Sequence, residues 1–256
     1  MRIVAPSAAL APFVRELMIV EVGDEVTRLR LPEPGPVLGL RYRGAASLLD
    51  DGGGATPLPD ASLTGPGLTA RRMRTSAGGG VVLARFRPGG AAQFFREPLH
   101  ELRDTTIALG DLVPRADLDR AHARVHEATT DAARATALES LLLARLRDEP
   151  PDAVVAAAVH AIAMSRGGMA IRDLARQLAI SQDPLEKRFR RAVGMSPKQF
   201  ARLVRLRAAI EGYRPGVPLG RLAIESGFYD QAHFSRELRA LSGQPPGRFL
   251  RTAAER

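Results

Sequence analysis

The chain of 256 residues has no cysteine and no tryptophan. Without cysteine it can form no disulfide, thiolate zinc site or cysteine nucleophile. No apolar run approaches the roughly 20 residues that span a bilayer. The opening "MRIVAPSAALAPFVREL" breaks its apolar stretch too early for a signal peptide. A soluble, cytoplasmic protein with no membrane partner is expected. The patterns Gly-x-Ser-x-Gly, HExxH and the P-loop are also missing, so the expectation is a protein that is not an enzyme and holds no cofactor.

Lysine is nearly absent as well, because 35 of the 37 basic residues are arginine. A GC-rich coding bias accounts for that choice but not for where the charge lies. Residues 1–164 carry 19 basic and 20 acidic side chains, whereas 165–251 carry 17 and 7, a net of +10. A basic domain joined to a neutral one points to a polyanionic partner, most often nucleic acid.

The fold class expected is a multidomain α+β chain. From Ile3 to about Pro114, short apolar runs such as "MIVEV", "VLGLRY" and "VVLARFRPGG" alternate with Gly and Pro. This predicts a β-rich domain over 1–115, a sandwich or a small, cupin-like barrel. "DDGGGAT" and "SAGGG" read as hairpin or loop tips, and "FRPGG" as a tight turn closing a strand. Leu118 to Leu146 is Ala-rich without Gly or Pro, and Leu118, Ala121, Val125, Ala128, Ala132 and Ala135 follow helical spacing. This segment, within 116–150, is expected to be a helical connector that packs on the β domain or forms a dimer seam. "RDEPPDA" (147–153) marks a hinge. The apolar "AVVAAAVHAIAM" after it predicts the buried first helix of an all-α domain over 154–256, with His160 in the core or an interface.

That domain contains a repeat. A shift of 48 residues places Leu174-Ala175 on Leu222-Ala223 and Ala179 on Gly227, and a shift of 49 places Ser181 on Asp230, Leu185 on Phe234, Phe189 on Leu238 and Gly194 on Gly243. Each unit is a short helix, a tight turn, an N-cap and a second helix with apolar residues at i and i+4. These are helix-turn-helix motifs, over about 171–192 and 219–242. "SPKQFARLVRLRAAIEG" between them starts with Pro197 at the first helical position and ends at Gly212. A helix of about 16 residues and 24 Å can hold two recognition helices roughly 34 Å apart, one turn of B-DNA.

The stretch from Ile171 to Arg251 resembles the DNA-binding domain of AraC/XylS-type transcription regulators. The resemblance is carried by "LARQLAIS", "LEKRFRRAVGMSPKQFARLVRLRAA" and "PLGRLAIESGFYDQAHFSRELRALSGQPPGRFLR". In "SGFYDQAHFSREL" three aromatic residues surround the turn, and G-F, a polar pair, H-F-x-R and G-x-x-P follow one another. "LAPFVRELMIVE", "LTGP" and "VVLARFRPGGAAQFF" are similar to a poorly characterised β-rich domain that precedes it in bacterial regulators. The resemblance implies a bacterial activator with double-stranded DNA and RNA polymerase as partners. It also implies that the N-terminal domain senses a small-molecule effector or forms a homodimer, though no residue can be assigned to an effector.

With Leu185 and Phe189 inward, Gln182, Asp183, Glu186 and Lys187 are expected at base edges. With Phe234 and Leu238 inward, Gln231, Ala232, Ser235 and Arg236 follow in the second copy. The resemblance gives Lys187 and Arg236 the same contacting slot. Arg236 suits a guanine and Gln231 an adenine, with Gln182 as its counterpart. Asp183 and Glu186 can accept from cytosine, and Glu186 is also placed to pair with Arg190 at i+4. Arg190, Lys198, Arg202, Arg205, His233, Arg239 and Arg248 are expected at phosphates. Two alternatives stay open: a metal-dependent cupin-like enzyme or sensor fused to the DNA-binding module, and an architectural DNA binder that senses nothing. His122 and His126 at i, i+4 are the metal candidates, but only His100 lies in the β domain, so no metal site is expected.

Overall fold

The computed structural model describes residues 1–50 and 52–254; Asp51, inside the "DDGGGAT" tip, lies outside the described residues, as do residues 255 and 256. The N-terminal region forms two antiparallel sheets. One has the order β1 (Arg2–Val4), β2 (Val14–Glu21), β9 (Gly80–Phe86), β4 (Val37–Arg43), β7 (Ala61–Thr64), β10 (Thr106–Ala108). The other runs β3 (Val26–Arg30), β8 (Arg71–Thr75), β5 (Ala46–Leu49), β6 (Ala55–Pro57). The Gly-rich tip joins β5 to β6 as a hairpin.

Alternation along the strands sends side chains to two different fates. Leu17 and Ile19 of β2, Leu38, Leu40 and Tyr42 of β4, Leu63 of β7, and Val82, Ala84 and Phe86 of β9 point away from the smaller sheet into the main core. The intervening residues Met18, Val20, Val37, Gly39, Arg41, Ser62, Val81 and Leu83 face the smaller sheet instead, across a cavity of about 400 Å³. Two sheets usually fill the space between them with interdigitated side chains. Here the core lies on the far side of the larger sheet, and the space between the sheets is hollow.

Helices α1 (Arg115–Glu127) and α2 (Asp131–Leu143) complete that core with Ala121, Val125, Leu138, Leu141 and Leu142. The stripe expected to run on as one helix from Leu118 to Leu146 is broken in two. Ala128 adopts an extended backbone, and Thr130 caps α2 by accepting from the Ala133 N–H at 3.1 Å. A threonine oxygen thus starts a second helix where no Gly or Pro marks a break.

The remainder is helical: α3 (Ala153–Met164), α4 (Ile171–Gln177), α5 (Gln182–Val193), α6 (Pro197–Gly212), α7 (Leu219–Glu225), α8 (Gln231–Ser242) and α9 (Pro246–Ala254). They share a second core around Leu185, Phe189, Phe200, Leu206, Phe228, Phe234 and Leu238. Among the described residues no helix is long and apolar enough to cross a membrane. Helix α3 departs from its expected burial. Val155, Ala158 and Ile162 are buried, but Ala156, Ala157, His160 and Met164 are exposed. Alanine loses little by facing water, so an Ala-rich run overstates how much of a helix is covered. His160 is on the solvent side and not in the core.

The repeat survives in the backbone. Ala179 has φ +51° and Gly227 φ +76°. The Ala179 N–H donates to Arg176 O and the Gly227 N–H to Ile224 O, the same bond 48 residues later. Alanine in the left-handed region carries about 1–2 kcal/mol of strain, whereas glycine adds about 0.5–1 kcal/mol of unfolded-state entropy. Ala179→Gly is therefore expected to stabilise the chain by roughly 0.5–1 kcal/mol, measured by denaturant unfolding; destabilisation would contradict a strained turn.

Candidate nucleic-acid interface

Each helix-turn-helix is built from α4 and α5 or from α7 and α8. Leu174 and Ala175 in the first, and Leu222 and Ala223 in the second, are buried against the core. The second helices end on Gly194 and Gly243, both left-handed, with N–H groups donating to Arg190 O and Arg239 O. Such ends match the usual glycine stop of a helix. Asp230 caps α8 by accepting from the His233 N–H at 2.6 Å. Ser181 holds the equivalent position with an extended backbone, but its side chain makes no cap bond. The helix between the motifs opens with a reciprocal capping box, in which Ser196 accepts from Gln199 N at 3.2 Å and Gln199 accepts from Ser196 N at 3.0 Å.

The residues expected at base edges sit on the outer faces of the two second helices. Gln182, Asp183, Lys187, Gln231, Ala232 and Arg236 are exposed, and Glu186 and Ser235 are half-buried. Glu186 accepts from Arg190 Nε at 2.9 Å, the i+4 pair that its spacing allowed. Tyr229 is 87% exposed, so its ring leaves the aromatic anchor, in which Phe228 and Phe234 lie 5.1 Å apart.

The residues expected at phosphates divide into two groups. Arg190, Lys198, Arg239 and Arg248 are exposed. Arg202 and Arg205 are half-buried and bonded inside the domain. Arg202 pairs with Glu237. Arg205 donates to Gly167 O at 2.5 Å and stacks its guanidinium 5.6 Å from the Phe228 ring centroid. His233 packs its ring on Phe228 and lies 3.9 Å from Glu237.

Three contributions were not apparent from the sequence. Arg188 of α5 grips Asp152 through two bonds of 2.7 and 2.8 Å, tying the end of the expected hinge to a recognition helix. Burial pushes the Asp152 carboxyl up, but Arg188 and the Val155 N–H outweigh it and hold the carboxyl below its ordinary range. The N-terminal domain also bonds to the ends of both recognition helices. Leu99 N–H donates to Arg191 O at 2.9 Å, and Ala70 N–H donates to Leu241 O at 2.7 Å. Arg207 of α6 donates to Pro32 O at 3.0 Å and faces Glu33 at 3.5 Å, reaching the wall of the inter-sheet cavity. The doubled motif signals the helices, but nothing local signals these long-range ties.

Two paired helix-turn-helix units on one basic, single-core domain define the class: a DNA-binding protein with a separate β domain. Residues 174–252 match the family described as a helix-turn-helix domain, and residues 2–108 match a domain of unknown function (DUF6597). The chain is a DNA-binding transcription regulator with an AraC-type helix-turn-helix domain at its C-terminus, preceded by that domain of unknown function. A search of curated protein sequences finds no match. Similar solved structures include ToxT from Vibrio cholerae, 12% identical over 91% of this chain and 97% of that one, with a TM-score of 0.48. The C-terminal domain of AraT, a response regulator from Geobacillus stearothermophilus, is 22% identical over 40% of this chain and 86% of its own, at 0.37. A DNA-binding transcriptional dual regulator from Escherichia coli K-12 is 19% identical over 43% of this chain and 99% of its own, at 0.36.

Proposed function

We propose that the chain reads a specific operator with α5 and α8 in successive major-groove segments on one side of a duplex, under control of the N-terminal domain. The observation that carries this reading is the exposure of Lys187 and Arg236 at one slot of two equivalent helices. Helix α6, 16 residues long, separates the two copies. Arg236 is placed to bind guanine through two hydrogen bonds and Gln231 to pair with adenine, while Lys187 and Gln182 take the same parts in α5. Asp183 and Glu186 make α5 the more selective reader, since carboxylates are repelled by phosphates and tolerated at a cytosine amine. Lys198, Arg239 and Arg248 hold the backbone and fix register. Activation through RNA polymerase follows from the family resemblance and belongs to the same reading. Homodimerisation through the N-terminal domain is the other route by which that domain acts.

Control by the N-terminal domain is supported by its bonds to α5, α6 and α8. A purely architectural binder needs no second domain fastened to both recognition helices.

Selecting bound duplexes from a random pool with the full chain tests the reading. A two-part site with its halves one helical turn apart is expected. Equal binding to the selected and a scrambled duplex would end the sequence-specific reading. Arg236→Ala should remove about 1–3 kcal/mol of discrimination at one base pair and leave the melting temperature unchanged.

A further inference from the structure

The cavity between the sheets is apolar along its middle. Met18, Val20, Val81 and Leu83 line it from the larger sheet, and Leu48 and Met73 from the smaller. Gly39 lies at the centre of β4, where a Cβ would approach Leu83 Cδ2 to 3.0 Å. The bare backbone there keeps the space open. Volumes of about 300–1,000 Å³ suit small organic ligands, and this one is about 400 Å³.

Its two ends differ in charge balance. At one end Arg85 is bonded to Glu16 and Glu33, and Arg207 faces the same Glu33. Four residues along β4 from Val37, or about 13 Å at 3.3 Å per residue, stands Arg41. Arg41 is only 7% exposed. Its nearest carboxylate among the described residues, Asp60, lies 3.5 Å from Nε and is itself 69% exposed. The Arg41 Nε has no hydrogen-bond partner among the described residues. A buried guanidinium whose one ion-pair partner is largely solvated is costly, and an unmatched N–H adds to that cost. Burial accordingly pushes the Arg41 pKa down, against the opposing effect of Asp60. The site therefore has an unmet demand for negative charge next to apolar walls.

We infer that the inter-sheet cavity binds an organic anion with an apolar body, its acidic group on Arg41 and its body along Met18, Gly39 and Leu83. This rests on the reading that the N-terminal domain controls DNA binding, and it supplies the chemical class of the effector.

Calorimetric titration of the full chain with decanoate, decanol and inorganic phosphate tests it. Decanoate should bind saturably and at least about tenfold more tightly than decanol, the difference a charge-assisted hydrogen bond supplies, and phosphate should not bind at the site. Arg41→Met should abolish the preference for decanoate over decanol. Ser62→Leu, which adds an apolar side chain beside Gly39 and leaves Arg41 itself in place, should lose decanoate and decanol together in a chain with unchanged melting. This second variant decides the matter should the first fail to fold. Equal binding of decanoate and decanol, a preference that survives Arg41→Met, or full binding in Ser62→Leu would overturn the site. Decanoate binding that leaves operator affinity unchanged would support the site and overturn control of DNA binding through it.

Discussion

Replacing Phe234 with alanine should cost the helical domain about 3–5 kcal/mol and abolish DNA binding while the β domain stays folded. Phe234 is fully buried, and its ring packs against Phe228 in the core that positions α8. The residues of the β domain core belong to a different cluster, which ends at α2. A loss of this size is a large part of the roughly 5–15 kcal/mol that holds a typical domain together. Thermal melting followed by far-ultraviolet dichroism should show a helical transition at lower temperature and a β transition unchanged. Tyr229→Ala is the control, because its ring is exposed and its loss should leave melting where it was. A Phe234→Ala loss below about 1 kcal/mol would mean that the aromatic turn does not anchor the second recognition helix.

Operator affinity should fall by roughly 40-fold between 50 and 200 mM salt, the behaviour of about three phosphate contacts. The positive charge of residues 165–251 would permit a steeper slope. The ion pairs of the folded domain argue against it. Arg188 is paired with Asp152, Arg190 with Glu186 and Arg202 with Glu237, and Arg205 bonds to a backbone carbonyl. Each of these guanidiniums already has a partner, so phosphate gains less from it. Removing one true phosphate contact lowers the logarithmic salt slope by about 1. Lys198→Ala is expected to do so, whereas Arg205→Ala should leave the slope intact and lower the melting temperature through Gly167 and Phe228. The opposite pattern in fluorescence anisotropy titrations would reverse these two assignments.

Much of the helical domain could be read from the chain because its determinants are local. Leucine and phenylalanine at i and i+4, Gly194 and Gly243 at matching positions of the repeat, Pro197 at a helix start, and a repeated turn all act within a few residues of themselves. The same locality explains where the reading failed. The break between α1 and α2 lies at the extended Ala128 and the Thr130 cap of α2, inside an otherwise favourable helical run. Exposure of His160 depends on which side of α3 the rest of the domain covers, which spacing in an almost wholly apolar run does not determine. The partners of Arg205 and Arg188 lie 38 and 36 residues away. Burial of Arg41 follows from the central place of β4 between β9 and β7, and strand order is set by pairings that span the whole domain. The hollow between the sheets is less visible still, since "VLGLRY" alternates like any strand with one covered face.

The bonds from Leu99 and Ala70 give the β domain a mechanical role. Each grips a carbonyl at the C-terminal end of a different recognition helix, while α6 spaces those helices from within. On the proposed reading, the separation of α5 and α8 is set like the jaws of a caliper, with α6 as the beam and the β domain as the locking screw. A slackened screw would change which half-site spacing fits best before it changed which bases each head prefers. Operators lengthened or shortened by a single base pair are thus the most sensitive gauge of what happens in the other domain.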